Sequence, residues 1–244
     1  SVEPKTWSYP LLGKLAYRGF FEEKLAIQEA DKLRAEGYDV YVAGVDAYST
    51  LGFFRDPLLN TFIGRSDADL AELIFHELTH QRLYLSGDTD FNEAFATANA
   101  EDGVRRWLRS KNDLAGLRSY EASLQRSRKT IHLLLDTRSR LKDVYAQDHA
   151  SAEAERLAKR RVFEDMLRRA GAHGPQTKLR SQSGLESWNN ARLNTIAAYY
   201  TLVPCFERLL KQHNGDLESF HREVASMRKL DDEERLRRLK APTR

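Results

Sequence analysis

Apolar residues recur at helical spacing through most of the chain, whereas strand-like patterns are confined to a short region. Residues 1–20 mix prolines, glycines and aromatic residues, which indicates an extended packing segment. A helix is predicted over residues 20–36, and Gly37 is suited to end it. Residues 38–44 alternate β-branched, aromatic and polar side chains as a strand does, and residues 47–54 favour a second short strand or an extended loop. The pattern predicts a mainly α fold (α+β) with a small β element before the central helix.

The central helix carries the candidate chemistry. Its predicted start is Asp67, because Ser66 is suited to cap it, acidic residues fill the first turn and an apolar stripe follows. Residues four apart on a helix share a face, so His76 and His80 are expected to point the same way. Two imidazoles placed in this way can chelate one zinc ion, with Glu77 beside the metal as a general base.

A third ligand is expected from the next helix. Hydrolytic zinc needs three protein ligands and an open fourth position for water. Glu93 lies at the head of the next predicted helix, from which its carboxylate can turn back to the two histidines. Glu101 and Asp102, two turns further along, are expected to hold the imidazole N–H groups in a supporting role.

The second half of the chain is predicted to be helical. Residues 114–169 favour one very long helix or two helices joined by a tight break, and residues 171–184 favour a loop. Residues 185–213 favour a helix that is kinked or restarted at Pro204, and Asp216 is suited to cap the helix that follows.

These elements predict three parts. Residues 1–110 form a zinc-binding catalytic region with the small β element. Residues 111–170 form a long helical arm, inserted before residues 171–244, whose helices complete the catalytic domain.

Composition narrows the choice of partners. An apolar fraction of 41% and a charged fraction of 31% over 244 residues are typical of a globular protein with a substantial core. A net charge of +3 is too weak to indicate a nucleic-acid partner, so none is predicted. The single cysteine, Cys205, excludes an internal disulfide and is expected to be a small core residue. No long apolar run is present, so no membrane span is predicted in this chain.

Two short segments carry a family resemblance. Residues 76–81 (HELTHQ) and 92–96 (NEAFA) resemble the paired signatures of gluzincin metallopeptidases, in which two histidines and a downstream glutamate bind zinc. The short gap between them, together with residues 48–52 and 188–193, resembles a bacterial family of predicted zinc aminopeptidases. The resemblance covers most of the chain. It implies a gluzincin-like core, a peptide substrate and Zn²⁺ as cofactor. It also implies a periplasmic or membrane-anchored protein if an upstream signal has been removed.

The resemblance also implies a mechanism. Glu77 takes a proton from a zinc-bound water and later returns it to the leaving amine. A developing oxyanion needs a further donor, a role that tyrosine commonly serves in gluzincins. Tyr199 and Tyr200 are the candidates, and a role as core aromatic residues stays equally open.

Substrate-binding residues are less tightly defined. An aminopeptidase needs a carboxylate for the α-ammonium group, and the Gly-x-Met-Glu-Asn segment of large gluzincin aminopeptidases does not occur here. Asp46 and Glu101 are the candidate substitutes, and the stretch that begins at Tyr48 is suited to pair with a substrate backbone. Arg192 and Asn190 either contact substrate or hold their helix in place, and the second role is favoured.

Two rival interpretations remain open. Glu77-x-x-His80 and Glu218-x-x-His221 are two copies of the pair that ferritin-like di-iron bundles use. Alternatively, the chain is a helical binding module whose metal site is structural or inactive. In this interpretation residues 105–169, which are richer in Arg and Lys than in acids, contact an anionic partner, although they lack the interleaved aromatic residues suited to nucleic acid. A protein partner for the 111–170 arm is expected instead as an addition to the enzyme.

Overall fold

The structure, a computed structural model, describes residues 1–9, 13–44, 64–172 and 187–241. Within these ranges the chain is mainly helical with one two-stranded antiparallel sheet, which confirms the predicted mainly α (α+β) class. None of the described helices combines the length and the apolar character that a membrane span requires. The elements in chain order are β1 (Trp7–Tyr9), β2 (Gly13–Leu15), α1 (Glu23–Ala35), α2 (Asp67–Arg82), α3 (Thr89–Ser110), α4 (Leu114–Ala146), α5 (Ala152–Ala172), α6 (Asn190–Tyr200), α7 (Val203–Gln212), α8 (Leu217–Ser226), a 3₁₀ turn (Met227–Lys229) and α9 (Asp232–Lys240).

The sheet lies in the segment that the sequence pattern assigned to extended packing. Trp7 pairs with Leu15 and Tyr9 with Gly13. Gly13 has a φ of 76°, and a Cβ atom there would lie 2.7 Å from the backbone nitrogen of Gly87. Glycine is therefore required both by its positive φ and by its close approach to the connection between α2 and α3.

The prediction of a strand over residues 38–44 is wrong. These residues follow α1 without pairing to a strand. The carbonyl oxygen of Val40 accepts a hydrogen bond of 2.9 Å from the Asn189 side chain, and the carboxylate of Asp39 accepts one of 3.0 Å from the Asn190 backbone N–H. Side chains distant in sequence thus satisfy the polar groups that a neighbouring strand would bind. The other predicted β stretch, residues 47–54, lies outside the described residues.

The helix boundaries follow local capping. Ser66 caps α2 as predicted, because its Oγ accepts from the Asp69 N–H at 3.2 Å. The helical region after residue 114 is divided into α4 and α5, which is one of the two predicted forms. The restart at Pro204 is also confirmed, since this residue lies in the first turn of α7, where its missing N–H breaks no helical hydrogen bond.

The contacts within the chain divide it into two units. The first comprises Ser1–Thr6, Ala16–Gly44 and Glu121–Ala197, and the second comprises Trp7–Leu15, Val45–Tyr120 and Ala198–Arg244. Each unit has its own buried apolar cluster. The assignment of residues 1–110, 111–170 and 171–244 to a catalytic region, an arm and completing helices stays a prediction.

Helix α3 forms the centre of the second unit. Every residue from Phe91 to Glu101 is buried, so this part of the helix is enclosed on all sides. Phe91 and Phe95 pack on Phe206 of α7 with ring centroids 5.0 and 5.4 Å apart, respectively. A charged side chain in such a helix needs polar partners, since an unpaired buried carboxylate is strongly unfavourable. Glu93 is such a side chain.

Candidate metal centre

Three side chains converge between α2 and α3. The Nε2 atoms of His76 and His80 lie 3.1 Å apart, and Oε2 of Glu93 lies 3.2 Å from the first and 3.6 Å from the second. Ligand atoms about 2.0–2.2 Å from zinc at tetrahedral angles lie roughly 3.3–3.6 Å apart. The donor types and their spacing therefore fit a divalent metal ion held by His76, His80 and Glu93.

The charge state of Glu93 suits this role. Burial alone would raise the pKa of its carboxyl group, but hydrogen bonds to His76 and His80 and the charges of these residues outweigh burial and lower the pKa to about 2. The carboxylate is therefore ionised at neutral pH. It gives the cluster one negative ligand beside two imidazoles, which is a common ligand set of hydrolytic zinc.

The expected supporting role of Glu101 and Asp102 is not seen at His80. Its Nδ1 atom is buried and has no hydrogen-bond partner among the described residues. Glu101 instead accepts from Arg105 at 3.3 Å, and Asp102 pairs with Arg106 one turn further along α3. Both acids are thus bound to arginines of their own helix.

Of the two predicted catalytic residues, Glu77 adjoins a candidate ligand in the sequence and Tyr199 contacts that ligand in the structure. Glu77 follows His76 on α2 and is half-buried, and its carboxylate makes no hydrogen bond or ion pair within the described part of the chain. The ring of Tyr199 stacks on the imidazole of His76, with centroids 5.9 Å apart and planes inclined by 22°. Helix α6 therefore brings a tyrosine against a candidate ligand, as the sequence interpretation required.

The sequence interpretation missed Glu72, which lies one turn before His76. Its Oε2 atom accepts a hydrogen bond of 2.9 Å from the hydroxyl group of Tyr120. Burial raises the pKa of Glu72, and the bond from Tyr120 opposes this shift. Burial, followed by the charge of Glu72, also raises the pKa of Tyr200 to about 12. The spacing 72, 76, 80 could have indicated Glu72, but no local pattern indicates Tyr120.

The predicted substrate-binding residues are distributed differently. Asp46 and Tyr48 lie outside the described residues. Arg192 belongs to the first unit, where its guanidinium lies 4.0 Å from the ring centroid of Trp188 and 5.3 Å from that of Tyr41. These contacts suit a residue that holds the start of α6, and a role of Arg192 in substrate binding stays a prediction.

The second Glu-x-x-His pair has other partners. Both carboxylate oxygens of Glu218 accept from Arg82 at 2.8 Å, and Nε2 of His221 lies 2.7 Å from Oδ1 of Asn99. Among the described residues, the group that could hold a metal ion contains neither Glu218 nor His221. The ligand arrangement of a di-iron bundle is therefore not formed by these residues.

The site and its helical unit are those of a helical protein with a candidate metal centre. Two histidines and a glutamate that converge from adjacent helices form a candidate mononuclear metal centre. The sequence model of the family described as "Putative aminopeptidase" matches residues 1–239, and the chain belongs to this family. Family membership indicates a peptidase, a hydrolase that acts on peptide substrates. No curated protein and no solved structure matches the chain.

Proposed function

We propose that this peptidase is a zinc-dependent aminopeptidase in which His76, His80 and Glu93 hold the metal and Glu77 is the general base. The observation that carries the proposal is the spacing of the three donor atoms, 3.1 to 3.6 Å, which is within about 0.2 Å of the edges of a zinc tetrahedron. The lowered pKa of Glu93 supports the same assignment, because an ionised carboxylate is the form that binds metal.

The proposed chemistry divides between the metal and the protein. Bound zinc supplies Lewis acidity, which polarises a carbonyl group and lowers the pKa of water to about 7. Glu77 takes the proton of the attacking water and delivers it to the amine that leaves. The hydroxyl group of Tyr199 donates a hydrogen bond to the oxyanion as the tetrahedral centre forms. The stacking of its ring on His76 supports this role.

A catalytic site is favoured over a structural one. Structural zinc sites close all four positions with protein ligands, whereas catalytic sites use three and keep one open. Three ligands converge among the described residues, and Glu77, which follows His76 in the sequence, makes no hydrogen bond or ion pair among those residues. These features favour the enzyme over a binding module whose metal site is inactive.

The test combines metal analysis with two peptides. The unchanged chain is expected to bind one zinc ion and to cleave a peptide with a free amino terminus faster than its acetylated copy. Glu77→Gln is expected to keep the zinc and lose hydrolysis, because the amide cannot accept the proton. Glu218→Ala, which removes an exposed carboxylate of the same unit, is the control and is expected to keep both.

Each part of the proposal has its own contradicting outcome. Hydrolysis at an unchanged rate by Glu77→Gln would exclude the general base. Equal cleavage of the free and acetylated peptides would exclude the aminopeptidase assignment while leaving metal-dependent hydrolysis in place. Iron in the purified protein, lost in Glu218→Ala, would favour the di-iron alternative.

A further inference from the structure

The ligands of the candidate metal centre come from two helices, so their geometry depends on how α2 and α3 are joined. Residues 83–88 form this connection. Within it, Leu85 is bound at both of its backbone polar groups by one side chain. Oδ1 of Asn92 accepts from the Leu85 N–H at 2.8 Å, and Nδ2 of Asn92 donates to the Leu85 carbonyl oxygen at 2.7 Å.

This pair of hydrogen bonds is fully buried. Asn92 is 1% exposed and Leu85 is 6% exposed. A buried amide or peptide group without a hydrogen-bond partner is costly, and among the described residues the Leu85 N–H has the Asn92 side chain as its partner. The Leu85 carbonyl oxygen also accepts from the Asp88 N–H, at 3.3 Å. Two antiparallel hydrogen bonds also fix orientation as well as distance, which a single bond or an apolar contact does not.

The position of Asn92 links these bonds to the metal ligands. Asn92 directly precedes Glu93 in the first turn of α3, and Leu85 follows the end of α2 by three residues. The side-chain amide of Asn92 therefore fixes the position of the helical turn that contains Glu93 relative to the helix that carries His76 and His80. We propose that Asn92 is a positioning residue of the metal centre, which holds the Glu93 carboxylate within ligand distance of the two imidazoles. The inference rests on the proposed metal site.

A neighbouring contact fixes α3 in a different way. Oδ1 of Asp88 caps the helix by accepting from the Phe91 N–H at 3.1 Å, and its Oδ2 accepts from Arg235 at 2.9 Å. These bonds determine where α3 begins and tie it to α9. The Asn92 side chain, in contrast, ties α3 to Leu85, in the connection that follows α2.

Asn99 provides a matched control. It is the same residue type, on the same helix, and is 8% exposed. Its Nδ2 donates to the Phe95 carbonyl oxygen of α3, and its Oδ1 binds His221 of α8. Its loss is expected to destabilise the unit without changing the register of α2 and α3.

The experiment compares Asn92→Ala, Asn92→Asp and Asn99→Ala in the full chain. Zinc affinity is measured by competition with a chromophoric chelator, and the unfolding free energy of each metal-free variant is measured in parallel. Exchange of the Leu85 amide hydrogen, also without metal, reports the hydrogen bond itself. Aspartate keeps the size of asparagine but cannot donate to the Leu85 carbonyl, so it separates hydrogen bonding from packing.

We expect both Asn92 variants to bind zinc about 10–100-fold more weakly than the unchanged chain, the range typical of residues that orient ligands. Exchange at Leu85 should accelerate in Asn92→Ala, whereas Asn92→Asp keeps an acceptor for the Leu85 N–H and loses the donor to the Leu85 carbonyl. Asn99→Ala should keep the zinc affinity of the unchanged chain, although its unfolding free energy should fall by an amount comparable to that of the Asn92 variants. Unchanged zinc affinity in both Asn92 variants, with faster Leu85 exchange in Asn92→Ala, would overturn the positioning role and leave the metal centre standing. An unchanged chain that binds no zinc would instead overturn the proposed metal centre, and this role with it.

Discussion

The ring of Phe75 lies against the backbone of Gly103, where α2 and α3 pack together. A Cβ atom at Gly103 would come within 2.8 Å of Cδ2 and 3.1 Å of Cγ of the ring. Glycine within a helix costs about 1 kcal/mol relative to alanine. Its presence in α3 is explained by this close approach, which occurs beside His76 and so helps to set the distance between the two ligand helices.

Gly103→Ala is therefore expected to destabilise the protein, although helix propensity alone would favour alanine. Overpacking of this kind costs about 1–3 kcal/mol, which exceeds the gain of about 1 kcal/mol in propensity. Denaturant unfolding of the metal-free protein measures the difference. In a Phe75→Ala background the ring is absent, and the same substitution should be neutral or stabilising. Stabilisation by Gly103→Ala in the unchanged background would show that the ring moves aside freely.

Glu93→Ala is expected to lower zinc affinity by more than about 100-fold, because it removes a ligand and not only a group that orients one. Zinc should also cease to raise the unfolding temperature of this variant, since a ligand stabilises only the state that binds it. Asp90→Ala is the matched control, since it removes an exposed acidic residue from the first turn of the same helix. Full zinc occupancy in Glu93→Ala would mean that another residue supplies the third ligand.

Tyr199→Phe is expected to lower kcat by about 100- to 1000-fold, the usual effect of losing one oxyanion donor, while zinc binding is kept. The ring that stacks on His76 remains in this variant, so that only the hydroxyl group is lost. Tyr200→Phe is the comparison, because Tyr200 is the other candidate donor. Burial and the charge of Glu72 raise the pKa of its hydroxyl group to about 12, so this group also stays protonated at neutral pH. A large loss of kcat in Tyr200→Phe alone would transfer the role to Tyr200.

The sequence predicted those parts of the site that depend on short-range geometry. His76 and His80 share a face because of the helical repeat, and Ser66 caps α2 through atoms three residues away. Glu93 is separated from the helix of the two histidines by one short connection, so its position also depends on residues close to them in the sequence. The predicted ligand set therefore converges in the structure.

The parts that were missed depend on contacts between distant residues. The Tyr120 hydroxyl binds Glu72 across 48 positions, and Asn189 binds the Val40 carbonyl across 149. The second contact explains why a segment with strand-like alternation is not paired as a strand. No periodic pattern encodes such pairs, since each depends on how the helices pack.

His221 provides a test of stability against pH. Burial lowers its pKa from the ordinary value of 6.5, the charge of Arg82 adds to this effect, and Glu218 opposes it. The Nδ2 atom of Asn99 donates to a carbonyl, so its Oδ1 accepts from Nε2 of His221. The remaining ring nitrogen, Nδ1, is buried without a partner among the described residues. Protonation would place a charge there without a hydrogen bond.

The sign of the pH effect follows from this lowered pKa. Below pH 6.5 the unfolded chain binds a proton at His221 more readily than the folded chain does, so acid favours unfolding. Neutral His221 makes its full contribution to stability above the pKa that this residue has in the unfolded chain. That contribution is lost as the pH falls from there through the pKa of His221 in the folded chain. His221→Gln keeps a donor for Asn99 and cannot be protonated in this range. With chelator present in both samples, the unfolding free energy of the unchanged chain should fall more steeply than that of the variant between about pH 7 and about pH 5.5. Parallel curves would mean that His221 has the same pKa in the folded and unfolded chain, which its buried and unpartnered Nδ1 argues against.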